Sequence, residues 1–284
     1  MKKLCLVSVL FLMCCFCFYG CEDEGTVQWK EASTEKRTEI IKEKTSQKTT
    51  ATQKKEILTE EKINNLKIKE KKIKIAIDAG HQKEQMTKKE SIGPGSSETK
   101  PMVSSGTEGV VTGIPEYQVN LEVSLKLKKV LIARGYDVYM IRETNNVSLS
   151  NKERSLMANE SGSGIFIRIH CNSADSSSAY GALTMCPSET NPYCKEIAEK
   201  SISLAKDVGS GLCSRTGAKN RGIIKTDQMT GINWSKIPVT IVEMGFMSNP
   251  EEDQKLCSSK YQARLAEGIA DGIDRYYQRE GGKE

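Results

Sequence analysis

The strongest constraint in this 284-residue sequence is the run Lys74-Ile75-Ala76-Ile77-Asp78-Ala79-Gly80-His81. A short β-branched run ending in Asp-Ala-Gly-His reads as a buried strand that delivers a histidine to the rim of a sheet, where irregular backbone begins. The sequence holds two histidines. The second, His170, ends the apolar run Ile165-Phe166-Ile167-Arg168-Ile169 in the same way, and a third run, Val239-Thr240-Ile241-Val242, ends in Glu243. In an open parallel sheet, ligands and chemistry gather at the carboxyl ends of strands. Three such ends here present His, His and Glu.

Further strands are expected at Asp137 to Ile141, Ala182 to Cys186 and, more weakly, Ile223 to Lys225. Helix-like segments lie between them. Ser150-Asn151-Lys152-Glu153 is a capping box, Asn249-Pro250-Glu251-Glu252 has the order of a helix start, and Tyr261 to Tyr277 carries apolar spacing at Leu265, Ile269 and Ile273. Val119 to Leu127 alternates like a strand, but Val130, Leu131 and Ile132 extend the pattern to Gly135, and that length favours a helix. The alternation predicts an α/β fold: a mostly parallel, about six-stranded twisted sheet with helices on both faces, in a single domain over residues 73–284.

The preceding residues have a different character. Residues 1–20 carry Lys2 and Lys3 ahead of an apolar run from Leu4 to Tyr19, shorter than a typical membrane span, as in a signal segment. Gly20-Cys21 follows, as in a bacterial lipoprotein, where Cys21 would be lipidated; an uncleaved N-terminal membrane anchor is the alternative. In both cases the remainder is exported. Residues 21–72 are rich in Lys, Glu and Thr and bury too little apolar surface to fold, so they read as a flexible charged tether. About fifty such residues reach about 40 Å.

The formal net charge of +5 does not belong to the domain: beyond residue 72 there are 27 basic and 26 acidic residues. Such a balance lacks the basic footprint of a nucleic-acid binder. The domain cysteines Cys171, Cys186, Cys194, Cys213 and Cys257 show no CxxC spacing, and five cannot all pair internally. Buried free thiols are expected. Cys171 adjoins His170, but neighbours on a strand face opposite ways, so the two should not share a metal.

A catalytic zinc commonly takes three protein ligands, such as two His and one Glu, and keeps a fourth position open. With His81 and His170 at strand ends, the third ligand should be a nearby acid. Glu116 is preferred: it follows Pro115 at the start of the long helix, where a carboxylate can face the rim. An ordinary first-turn acid at a helix N-terminus also fits that position.

Taken in order, Asp78-Ala79-Gly80-His81, then Glu116 with Asn120, then Arg154 with Ala158-Asn159, then Phe166-Ile167-Arg168-Ile169-His170-Cys171-Asn172, then Pro238 and Glu243-Met244-Gly245-Phe246-Met247-Ser248-Asn249 resemble the zinc-dependent N-acetylmuramoyl-L-alanine amidases of the amidase-3 type. The match runs from about Ile73 to Tyr277. The resemblance implies zinc held by His81, Glu116 and His170, with Glu243 as catalytic carboxylate. It also implies cleavage of the amide between the lactyl group of muramic acid and L-alanine in peptidoglycan. The family's usual Gly-Gly after the first histidine is Gln82-Lys83 here, its frequent Ser is Arg168, and its His-Ala-Asn is His170-Cys171-Asn172; no ligand is removed. Asp78 reads as support behind the ligands or a strand-end acceptor. Asn172 and Arg221 read as contacts for substrate polar groups, with a surface role for Arg221 as the alternative. Trp234 either stacks on a sugar or, slightly favoured, fills a gap under its loop.

The stretch 82–115 is longer than the family pattern and rich in Gly, Ser and Thr. It is expected to be a structureless loop, either a lid or glycan-contacting loop over the metal or a mobile insertion. Two rival functions remain. One is a catalytically inactive peptidoglycan-binding or activator lipoprotein, which the intact ligand set opposes. The other is a zinc peptidase, whose HExxH helix is absent.

Overall fold

A computed structural model describes residues 73–280. The expected signal segment (1–20) and the Cys21 tether (21–72) lie outside the described residues. In chain order the strands are β1 (Lys74–Ala79), β2 (Met86–Ser91), β3 (Thr99–Val103), β4 (Asp137–Met140), β5 (Ile165–Asn172), β6 (Ala182–Cys186), β7 (Asn220–Lys225) and β8 (Val239–Phe246). The helices are α1 (Glu116–Ala133), α2 (Asn151–Glu160), α3 (Ala198–Thr216), the short α4 (Thr230–Asn233), α5 (Pro250–Leu256) and α6 (Ser259–Glu280). The segment that alternates from Val119 is helical: α1 buries Val119, Val123, Leu127 and Leu131 on one stripe, which a strand of that length could not do.

All six expected strands join one sheet, in the order β4-β1-β5-β8-β6-β7. β4, β1, β5 and β8 are mutually parallel; β6 runs antiparallel to β8, and β7 is parallel to β6. The carboxyl ends of β1, β5 and β8 therefore share a rim with the amino ends of β6 and β7.

The two faces are covered differently. Ile75, Ile77, Ile165, Ile167, Ile169, Val242 and Met244 form one core with α1, α3 and α6. Gly211 of α3 and Gly272 of α6 let those two helices cross in contact: a Cβ on Gly272 would lie 2.4 Å from the Val208 Cα. The opposite core is smaller, with Ala76, Phe166, Val239 and Ile241 against Ala158 of α2 and Ile232 of α4. The capping box holds as expected, with Ser150 accepting from the Glu153 amide and Glu153 from the Ser150 amide. Asn249 caps α5 by accepting from the amides of Glu251 and Glu252.

The stretch 82–115 departs from expectation. It is not structureless: β2 and β3 pair as an antiparallel hairpin. The hairpin is pinned along the second face. Trp234 Nε1 donates to the Ser91 carbonyl at 3.0 Å, Asn151 Nδ2 to the Met102 carbonyl at 2.8 Å, and Lys100 Nζ to the Gln228 carbonyl at 2.8 Å. Glu90 accepts from the Lys152 amide in the first turn of α2. Trp234 thus packs beneath the hairpin, with Lys152 over its ring at 4.2 Å.

The described cysteines are all free; Cys171, Cys186 and Cys194 are buried and Cys213 and Cys257 partly so. Burial pushes the Cys186 thiol up to about 11 and the Cys194 thiol up to about 12. Neither is a thiolate at neutral pH.

Candidate metal and catalytic centre

Strand alternation decides which residues reach the rim. Ile169 and Cys171 point into the larger core, so His170 between them points to the other face. Glu243 on β8 is in register with His170 and shares that side. Gly80 makes the approach of β1 possible: a Cβ there would lie 2.2 Å from the His170 ring. The turn after Gly80 then brings His81 against His170, ring centroids 4.8 Å apart and close to perpendicular.

Glu116 opens α1 beneath these rings. One ligand atom from each of His81, Glu116 and His170 lies within 4.8 Å of the others. His81 Nε2 is 3.3 Å from Glu116 Oε2, and His170 Nδ1 is 3.3 Å from Glu116 Oε1. Oε1 accepts from the Cys171 amide at 3.0 Å and from Asn120 Nδ2 at 3.0 Å; Oε2 accepts from the Thr107 amide at 3.1 Å. Burial acts to raise the Glu116 pKa, but the hydrogen bonds from His170 and His81 outweigh it and hold the carboxylate well below its usual range. Burial brings His170 down to about 4 against the pull of Glu116. The centre is therefore an anionic carboxylate flanked, at His170, by a neutral imidazole, the protonation state in which histidine binds metals.

Two buried atoms in this centre have no hydrogen-bond partner: His170 Nε2 and Glu243 Oε2. Buried polar atoms are nearly always satisfied, so such orphans call for a ligand. Two imidazoles and one carboxylate are also a donor set suited to a catalytic metal with an open position. The residues fit a divalent cation. Glu243 stands beside the cluster without belonging to it; burial and the nearby Glu116 charge push its pKa up to about 8, partly opposed by Arg168.

Behind the ligands lies a set of buried arginines that sequence reasoning did not place. Asp78 is fully buried between Arg154 and Arg168, at 2.6 and 3.0 Å. Although burial alone would raise it, these two guanidinium groups hold the Asp78 carboxyl well below the usual carboxylate range. Arg154 also donates to the carbonyls of Ala79 and His81, each at 3.1 Å. Arg142 donates to the carbonyls of Ala79 at 2.7 Å and Gly80 at 3.0 Å. Every carbonyl from Ala79 to His81 is thus gripped by an arginine. His81 needs that grip, because its φ of 58° lies in the left-handed region, unusual for a residue with a side chain. The available sequence signal was Arg168 itself, an arginine inside an apolar strand that could be buried only with a partner.

The other candidates stand apart from the cluster. Asn172 ends β5, its Oδ1 accepting from the Ser173 amide at 2.8 Å. Arg221 opens the edge strand β7 on the same rim, donating to the Tyr180 carbonyl at 3.2 Å with its guanidinium 5.0 Å from the Phe246 ring centroid.

A family model described as N-acetylmuramoyl-L-alanine amidase, of the amidase-3 type, matches residues 75–275. The chain belongs to that family. This amidase domain is 32% identical over 165 residues to the N-acetylmuramoyl-L-alanine amidase LytC of Bacillus subtilis, covering 58% of this chain and 32% of LytC. It is also 32% identical over 173 residues to the uncharacterized protein YqiI of the same organism, covering 61% of this chain and 79% of YqiI. The chain therefore spans most of one relative but about a third of the other. Among solved structures, an N-acetylmuramoyl-L-alanine amidase from Clostridium difficile 630 matches with a TM-score of 0.59 at 27% identity, over 73% of this chain and 97% of that one. Ami1 from Mycobacterium smegmatis shares the amidase fold, with a TM-score of 0.66 at 23% identity over 73% of this chain and 97% of its own.

Proposed function

We propose that this amidase-family protein is a zinc-dependent peptidoglycan hydrolase that cleaves the amide between the lactyl group of N-acetylmuramic acid and the L-alanine of the stem peptide. The observation that carries this reading is Glu243: an acid with one buried, unpartnered oxygen, in register with His170 beside a three-donor cluster. His81, Glu116 and His170 would hold the zinc.

An amide is a poor electrophile with a poor leaving group, so the site must supply both a strong nucleophile and a proton. Zinc held there would supply Lewis-acid chemistry, lowering the pKa of a water and polarising the amide carbonyl. Glu243 takes the proton from that water and passes it to the departing alanine nitrogen. Its pKa, raised to about 8 by burial and by the Glu116 charge, favours the second transfer, and a nearby cation that lowers it favours the first. Arg154, paired with buried Asp78, holds the backbone at His81 through the Ala79 and His81 carbonyls. Asn172 and Arg221, on the same rim, are positioned to meet polar groups of the peptide or glycan.

On this reading residues 1–20 export the chain, and a lipid on Cys21 or an uncleaved anchor keeps the domain at the outer face of the membrane, with the 21–72 tether giving it reach into the wall. The deciding experiment is digestion of purified cell wall followed by identification of the new amino terminus. L-Alanine is expected. Cleavage at another bond would assign a peptidase, and no release by zinc-loaded protein would assign a binding or activator role.

A further inference from the structure

The segment joining the docked hairpin to α1 touches two of the three metal donors. Immediately after β3, the Ser104 carbonyl lies 2.9 Å from His81 Nδ1, with the Ser104 hydroxyl at 3.1 Å. A carbonyl oxygen can only accept, so Nδ1 donates to it, and Nε2 is the nitrogen turned toward Glu116 and the proposed metal position. Two residues later Gly106 passes so close that a Cβ would lie 2.6 Å from Glu116 Oε2 and 3.0 Å from the His81 ring, and its φ is +83°. Thr107 completes the contact: its amide donates to Glu116 Oε2, and its carbonyl accepts from the Glu116 amide at 2.8 Å.

This segment is fixed at both ends. On one side is the hairpin, held by Trp234, Asn151 and Lys100. On the other, the turn after it is capped by Asp253, which accepts from the amides of Val111 at 2.7 Å and Thr112 at 2.8 Å.

We infer that residues 104–107, delivered by the docked hairpin, are positioning residues of the metal site: they orient the His81 ring, holding Nδ1 away from the metal, and fix the Glu116 carboxylate. The insertion braces two ligands rather than acting as a mobile cover. The inference rests on the zinc reading above. Partners of this kind, behind a metal ligand, typically change metal affinity 10–100-fold when lost.

Two variants separate positioning from simple backbone strain. Gly106→Ala places a methyl group against both ligands. Gly113→Ala imposes the same left-handed strain, φ +63°, where nothing lies within 4 Å of the added Cβ. In competition with a chromophoric chelator, Gly106→Ala is expected to weaken zinc binding about 10–100-fold, while Gly113→Ala stays within about twofold. A second measurement needs no variant: nitrogen-15 shifts of the zinc-loaded wild-type protein should show His81 carrying a proton at Nδ1, the nitrogen held by the Ser104 carbonyl. A folded Gly106→Ala protein with wild-type zinc affinity overturns the inference, as does a zinc-loaded wild-type His81 with no proton on Nδ1. Should the wild-type chain bind no zinc at all, the metal reading itself fails, and the two failures are told apart by that control.

Discussion

The two faces of the central sheet are made from the same strands and do opposite work. On β1, β5 and β8 the residues Ile77, Ile167, Ile169 and Val242 enter the larger apolar core, while their neighbours Asp78, Arg168, His170 and Glu243 carry charge or chemistry to the other side. The first face is stabilised by area removed from water and by helices in contact at glycine. The second depends on pairing: Asp78, Arg154, Arg168 and Arg142 are all buried, and each is kept by partners. Substitutions on the first face should therefore change stability alone, and those on the second should change chemistry, stability or both.

The largest effects belong to the second face. His170→Ala should lose zinc and turnover together. Glu243→Gln should keep full zinc content, read by metal analysis, while turnover on cell wall falls about 10²–10⁴-fold. Full zinc occupancy in the His170 variant would break the division between ligand and base. Next is Arg154→Met, which removes one of the two guanidinium partners of buried Asp78; a loss of about 3–5 kcal/mol is expected in urea unfolding, and an unchanged midpoint would show that the Arg154–Asp78 pair is dispensable. On the first face, Ile269→Ala should cost about 2–5 kcal/mol and leave kcat/KM per folded molecule unchanged; a fall in kcat/KM would mean that the faces are coupled.

The smallest effect sharpens the comparison by pH. The Glu243 pKa stands at about 8 in the fold, above its usual value. The native state then binds more protons than the unfolded chain between about pH 4.5 and 8, so stability of the metal-free protein should fall as pH rises through that window. Glu243→Gln should remove this slope and raise stability at pH 8 by about 1–3 kcal/mol. Asp78, held low, acts in the opposite sense: its contribution is present above about pH 4 and is lost on acidification. A thermal-midpoint series across pH on both proteins checks the sign.

The apolar face was legible because it leaves a periodic trace. Runs such as Ile165-Phe166-Ile167 announce strands, and the strand ends placed both histidines and Glu243 on one rim. Glu116 was legible as an acid beside a proline at a helix start. What escaped notice lacks a local pattern. The sequence Met86-Thr-Lys-Lys-Glu-Ser91 has no apolar alternation; it pairs as a strand because its neighbours Trp234, Asn151 and Lys152 come from distant parts of the chain. The grip of Arg142 and Arg154 on the carbonyls of residues 79–81 is likewise side chain to main chain, and such contacts leave no spacing to read.

The left-handed turn at His81 has a practical consequence. Because Arg142 and Arg154 grip that backbone through its carbonyls, its shape should not depend on a bound cation. Stripping with a chelator should leave an intact scaffold that regains its full complement on simple dialysis against zinc, without a refolding step.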